Sequence, residues 1–211
     1  APPPQQVTNN YFYDYLSPYG SWYVHPTYGY SWEPTVSVCV PDWRPYCHNG
    51  NWLYTDSGWY WHSSYSWVWD PFPYRRWFSH RGRWLWTPDA VWGPAWVSWR
   101  TSDAYCGWAA LPPGVGWSAG VGLTYVNGAV GVSFGFGLAA DHFTFVGWNR
   151  FHDRSVWRHH LRRDEAASIY HKSTVINNYI NGNNNTIINE GIGRGRVAAA
   201  SRSEVLKVAL R

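Results

Sequence analysis

Catalysis by this 211-residue chain would have to draw on nine histidines and thirteen carboxylates. The densest material is His152-Asp153 with His159-His160, joined by Asp141-His142. Imidazoles that converge in this way ligate Zn or Cu. Here Arg150, Arg154 and Arg158 are interleaved with them, which raises the local positive charge against a cation, and the spacing follows no zinc-protease pattern. No metal and no cofactor is therefore expected. Serines are plentiful, yet none stands in a setting that resembles a strained nucleophile elbow. Glycoside hydrolysis needs paired carboxylates, and none of the acids sits in a suggestive setting. The expectation is a protein that is not an enzyme.

Binding chemistry is better supplied. Aromatic residues make up 20% of the chain and charged residues only 14%. A ring face covers the apolar C–H face of a sugar, while polar groups at its edge take the hydroxyls. Trp52, Trp59, Trp61, Trp84 and Trp86, interleaved with Asp56, His62 and Arg83, are the candidate glycan platform. A competing reading makes the same rings the core. Aliphatic residues before Pro113 are scarce, and each buried ring removes roughly 150–250 Å² from water.

The placement of the rings points to a repeat. Of 18 tryptophans, 16 lie between Trp22 and Trp117. Trp22, Trp52 and Trp77 each open a unit that closes on an aromatic-x-Trp step: Tyr30-Ser31-Trp32, Trp59-Tyr60-Trp61 and Trp84-Leu85-Trp86. Recurrence at a fixed spacing marks repeated supersecondary units. Each unit reads as a β-hairpin, with turns at Pro26–Gly29, Thr55–Gly58 and Ser79–Gly82. Connectors such as Asp70-Pro71-Phe72-Pro73 mark edges or corners, and no helix is expected before residue 145. Val121–Val126, Asn127-Gly128 and Ala129–Gly137 read as a Gly-rich hairpin with a type I′ turn, a sheet on which the tryptophans could pack. The fold class is all-β. The expected order is an extended leader over 1–10, an aromatic body over 11–148, a basic connector over 149–172, an Asn/Ile segment over 173–192 and a short tail over 193–211.

The Asn/Ile segment holds seven Asn and five Ile between Ser173 and Ile192, with almost no charge. It has strand propensity and amide side chains, and it lacks proline. Those are properties of an edge that pairs with another edge, either on its own domain or on a second copy. Val175, Ile176, Asn177, Asn178, Tyr179, Ile180, Asn183, Asn184, Asn185, Ile187 and Ile188 are the candidate self-association residues. On that reading, deleting 173–192 leaves a folded monomer.

Three cysteines allow one disulfide, with Cys39–Cys47 or Cys47–Cys106 both possible. The start, Ala1-Pro-Pro-Pro-Gln-Gln, reads as a mature N-terminus left after signal-peptide cleavage. With no Met and only two Lys, it points to a secreted or cell-envelope protein. No run of about 18 apolar residues is present, so no membrane span is expected. The body is near neutral and the chain becomes basic from Gly147 onward. That body lacks the field that nucleic acid binding requires.

Phe12–Trp22, Gly58–Trp61, Pro71–Trp77, Val91–Arg100, Gly107–Pro113, Leu138–Val146 and the Val175–Asn189 segment carry a family resemblance. Over about residues 11–192 the chain resembles the Trp-rich YXWGXW-repeat, FecR-associated proteins of bacterial envelopes. The resemblance implies export and an envelope or extracellular setting. It brings no activity and no catalytic residues, and Asp70–Arg75 departs from the pattern. The resulting expectation is a non-catalytic structural protein that self-associates with other copies by strand exchange. The alternative is a module that binds cell-wall glycan.

Overall fold

The computed structural model describes residues 9–67 and 74–210. Residues 1–8 and the corner Asp70–Pro73 lie outside these. Three antiparallel hairpins stand where the repeat places them: β1 (Gly20–His25) with β2 (Gly29–Pro34), β3 (Gly50–Thr55) with β4 (Gly58–Ser63), and β5 (Arg75–His80) with β6 (Arg83–Pro88). In each, the opening tryptophan lies directly opposite the closing one: Trp22 faces Trp32, Trp52 faces Trp61, and Trp77 faces Trp86. Such cross-strand ring pairs are the unit of sheet stabilisation. A fourth hairpin, β7 (Val97–Thr101) with β8 (Tyr105–Ala110), repeats the device with Trp99 opposite Trp108. It closes on Gly107-Trp108 instead of an aromatic-x-Trp step, so the motif did not reach it.

The hairpins do not stand alone. β2 pairs with β6 through Trp32 and Trp86, which joins hairpins one and three into a sheet of order β1-β2-β6-β5. A row of four tryptophans therefore crosses that sheet on one face. β12 (Thr144–Gly147) and β13 (Thr174–Val175) flank the fourth hairpin in the order β12-β8-β7-β13. The second hairpin is extended by β14 (Tyr179–Asn181) and β15 (Ile187–Asn189), in the order β14-β15-β4-β3. β9 (Val115–Ser118), β10 (Gly122–Tyr125) and β11 (Gly128–Ala129) form a small separate sheet. The fold is all-β with few helices.

Two helices appear where none was expected. α1 (Asn9–Leu16) begins inside the supposed leader and lies on the tryptophan row: Phe12 meets Trp86 edge-on at 5.2 Å, and Trp32 Nε1 donates to Leu16 O at 3.1 Å. α2 (Thr35–Cys39) follows Pro34 and carries Cys39 to the surface. The backbone N–H of Trp84 donates to Ser37 Oγ within it at 3.0 Å. A ring face needs covering, and a short aromatic helix does this as well as a strand.

The core is made of the rings themselves. Trp52, Trp59, Trp99 and Trp108 surround Phe151, all of them buried, with ring centroids 4.7–5.8 Å from it. Phe151 comes from the basic connector, which contributes 3-10 turns at Trp148–Arg150 and Val156–His159 and then α3 (Arg163–Lys172). The repeat tryptophans pack on one another. The Gly-rich sheet takes Trp96 and Trp117 in a second cluster with Leu111, Val115, Leu123 and Phe136. Its turn also differs from the expectation. Tyr125 pairs with Gly128, so the loop is Val126-Asn127, with φ of 48° and 64°. The second strand is only two residues long.

The Asn/Ile segment closes the body. Val175 pairs with Arg100, and Ile176 N donates to Trp99 O. Asn177 is buried, accepting from Ser98 Oγ at 2.8 Å and donating to Phe134 O at 2.8 Å. Asn178 O accepts from Glu190 N, and Tyr179 OH donates to Val97 O at 2.7 Å. Ile187 is buried, Ile188 is half-buried, and Asn189 is fully enclosed, its Oδ1 taking Trp99 Nε1 at 2.8 Å. Ile180 and the Asn183–Asn185 turn face outward. Gly58 faces Asn189 across the β4–β15 junction at φ +77°, where a Cβ would lie 2.0 Å from Asn189 O. Deleting 173–192 would strip these ties from the body.

In the tail, α4 (Arg194–Ser201) is followed by a segment that bridges to β3 at Tyr54 and Lys207. No helix of the described residues is long and apolar enough to cross a membrane.

Candidate binding groove between two hairpins

Where the tryptophans take one face of the β1-β2-β6-β5 sheet, strand alternation sends their neighbours to the other. Tyr23, His25, Glu33, Phe78, His80, Arg83 and Leu85 share that second face. β1 and β5 are the two outer strands, yet His25 meets Phe78 at 5.0 Å and His80 at 5.1 Å. The sheet is therefore curled with this face inward, an exaggeration of the ordinary strand twist. The curl leaves a groove of about 530 Å³ lined by Tyr23, Val24, Pro26, Arg81 and Arg83 together with the imidazoles. That lies within the ordinary range for small-ligand sites, roughly 300–1,000 Å³.

The groove has a dry floor and a polar rim. Glu33 and Leu85 are buried beneath it. Arg83 Nη1 lies 3.4 Å from Glu33 Oε1, and the guanidinium side chain is half exposed. Tyr23 is 48% exposed, so a ring edge or face is open to solvent. Tyr28 stacks on His25 at 5.1 Å with planes 17° apart. Thr27 N donates to His25 Nδ1, which places the proton of the neutral ring on Nε2. One tyrosine, two imidazoles, two guanidinium groups and one carboxylate thus line a short concave surface. It can hold a polyhydroxylated ligand by ring contact and edge hydrogen bonds. Among the described lining residues there is a single carboxylate, already paired.

The residues singled out from sequence go elsewhere. Trp52, Trp59, Trp61, Trp84 and Trp86 are all buried and form no platform. The supply of aliphatic side chains is too small for the strands to close without them. Cys39, Cys47 and Cys106 are free thiols, so the expected Cys39–Cys47 bridge is absent: Cys39 is exposed on α2 while Cys47 lies in the core. Burial pushes the Cys47 thiol up to about 11 and raises Cys106 further. Asp153 meets His159 Nε2 at 3.1 Å and Arg150 at 3.4 Å, while His142 packs on Trp84. No three potential ligands converge on a metal position among the described residues. Ser133, passed over in the sequence, does stand in a Gly-x-Ser-x-Gly run, Gly131–Gly135, but the run lies in a loop between a two-residue strand and a 3-10 turn and so forms no strand-to-helix elbow.

Of the groove residues only Arg83 had been singled out, although the signal for the others was present. Tyr23, Glu33, Arg83 and Leu85 are each adjacent in sequence to a repeat tryptophan, so strand alternation alone assigns them a common face. What sequence could not show is the edge pairing of hairpins one and three.

No curated protein and no solved structure matches the chain. Residues 13–115, from α1 through the fourth hairpin to the start of β9, match the model of a family of unknown function, DUF6600.

Proposed function

We propose that the chain is a non-catalytic recognition module that holds a carbohydrate in the groove between hairpins one and three. The observation that carries this reading is the half-exposed Tyr23 ring beside the Glu33–Arg83 pair on a concave face. Sugars are bound in this way, with a ring against the C–H face and charged edges on the hydroxyls. Hydrolysis would need a second carboxylate. An exported or cell-envelope setting accompanies this reading, supported by the resemblance to Trp-rich YXWGXW-repeat envelope proteins. Cell-wall glycan is then the natural ligand class.

The test is retention of the whole protein on insoluble peptidoglycan and on neutral polysaccharide. Tyr23→Ala and Glu33→Gln should each weaken retention by about tenfold, the worth of one ring contact or one charged hydrogen bond. Unchanged retention in both variants would remove the groove from the reading.

A second reading keeps self-association of copies. β14 is an outer strand of its sheet and Ile180 on it is exposed. An open edge of this kind pairs with another chain. Ile180→Lys should then lower the sedimenting mass, and a monomeric wild-type protein would end that reading.

A further inference from the structure

A second surface, remote in sequence from the groove residues, has its own chemistry. Among the described tryptophans, Trp157 is the one whose ring is exposed, at 38%. Its neighbours explain why. Phe151 and Val156 are completely buried and pin the connector to the core, and the 3-10 turn Val156–His159 turns the next side chain outward. The indole does not stand free. His48 stacks against it at 6.0 Å with planes 23° apart, and the Arg158 guanidinium lies 5.5 Å from the ring centroid. His160 lies 6.3 Å from His48.

The charge around this ring is unbalanced. Arg150 is paired with Asp153, Arg162 approaches Glu165, and Arg163 reaches Asp42. Arg158, over the ring, and Arg154, three residues before Trp157 in the chain, are exposed and have no ion-pair partner among the described residues. Burial holds His48 down at about 4, so at neutral pH it is an uncharged hydrogen-bonding ring that does not compete with the arginines.

We infer that Trp157, Arg154 and Arg158 form a binding site for an acidic polysaccharide, with the indole against a pyranose face and the guanidinium groups on its carboxylates. Arginine forks onto carboxylates in two parallel hydrogen bonds, which a compact ammonium cannot do. Nucleic acid fits less well. Sequence-tolerant binding of single strands uses a series of stacking rings along a positively charged channel, and this surface offers one exposed indole with two unpaired arginines. The site is independent of the carbohydrate reading of the groove.

The experiment uses the whole protein on immobilised polygalacturonate, with dextran as the neutral control and single-stranded DNA as the competing polyanion. The wild type should be retained on polygalacturonate and released by salt, while dextran retains it no better when salt is low. Arg154→Gln/Arg158→Gln should weaken retention by about tenfold or more. Tyr23→Ala should leave it unchanged. Trp157→Phe supplies a second readout: the acrylamide-quenchable fluorescence that it removes should be shielded by polygalacturonate in the wild type. Both substituted sites are on the surface, so thermal unfolding should not shift. Unaltered retention in the double variant, an unshielded Trp157, or tighter binding to DNA than to polygalacturonate would each overturn the assignment. So would loss of retention in Tyr23→Ala, which would place the polyanion in the groove.

Discussion

Phe151 sits among Trp52, Trp59, Trp99 and Trp108 and holds the second and fourth hairpins together by ring contact alone. Ser173–Ile192 is fixed by opposite means. There Asn177, Asn189 and Tyr179 are inserted into the body, and each polar atom finds a named partner. The difference teaches where specificity comes from. Rings supply most of the buried area but tolerate several packings, since edge-to-face and stacked arrangements are close in energy. Buried amides tolerate only the register that satisfies them. The hairpins make the core, and the closing segment selects one way of assembling it.

The largest effect should follow from emptying the ring cluster. Phe151→Ala removes a fully buried ring and leaves a cavity, at a cost of about 3–5 kcal/mol. Urea unfolding would show this as a lower midpoint with an unchanged slope. A shift under 1 kcal/mol would mean that the rings collapse into the space and that the cluster is not tightly packed.

Next in size is Asn189→Ala, which leaves the Trp99 indole N–H without its 2.8 Å acceptor. The cost should be about 1–3 kcal/mol. In a Trp99→Phe background, which has no N–H to orphan, the same substitution should cost less by about 1 kcal/mol. Additive losses in this double-mutant cycle would mean that the amide does not act through the indole.

The two regions also differ in their pH liabilities, the body being sensitive on both sides and the closing segment in alkali. His48, beside the hairpin body, has its pKa depressed to about 4 by burial. Its neutral form is favoured by folding, so its contribution is complete above the unfolded value of about 6.5 and is lost as pH falls toward 4. With the ring partly open to solvent, the loss is about 1 kcal/mol. His142 is depressed by burial in the same direction. Tyr179, in the closing segment, is raised by burial, with its hydroxyl on Val97 O. That stability is present below about pH 10 and is lost as pH rises through the raised value. Burial raises the Cys47 and Cys106 thiols of the body in the same direction. Thiols ordinarily ionise below tyrosine, so hydrogen exchange should open the hairpin body before the closing segment in alkali, and His48→Gln should flatten the acid limb. Alkaline opening that begins in the closing segment would mean that Tyr179 outweighs the two thiols.

Much of this was legible where spacing alone decides. Trp22/Trp32, Trp52/Trp61 and Trp77/Trp86 announced three hairpins, because a turn flanked by aromatic strands has few other solutions. The fourth escaped notice because Cys106 stands where an aromatic was expected: the thiol is fully buried against β12, 3.8 Å from Val146 O. α1 was hidden by its Tyr and Phe content, which carries strand propensity, and it forms because Phe12 and Leu16 cover Trp86 and Trp32. The groove depends on Trp32 pairing with Trp86, a contact between strands 54 residues apart in sequence that no local pattern encodes. Phe151 and Trp157 lay in a stretch dominated by arginine, where charge drew attention from the rings.

The smallest expected effect belongs to the turn of the Gly-rich hairpin, where backbone conformation is at stake and neither a buried ring nor a buried amide is touched. Its Asn127-Gly128 pair looked like the turn, but the loop falls one residue earlier, and Val126 adopts φ 48°. A β-branched residue is unfavourable in the left-handed region, by on the order of 1 kcal/mol or more. Val126 is exposed, so its side chain contributes little in return, while its N–H donates to Gly114 O. Val126→Gly keeps that donor and relieves the strain, but it gives the unfolded chain more freedom to lose. The net should be a gain of about 0.5 kcal/mol, read as a small rise in the unfolding midpoint. A loss instead would show that the register prefers Asn127-Gly128 in solution, with Val126 back in the strand and its side chain on the opposite face.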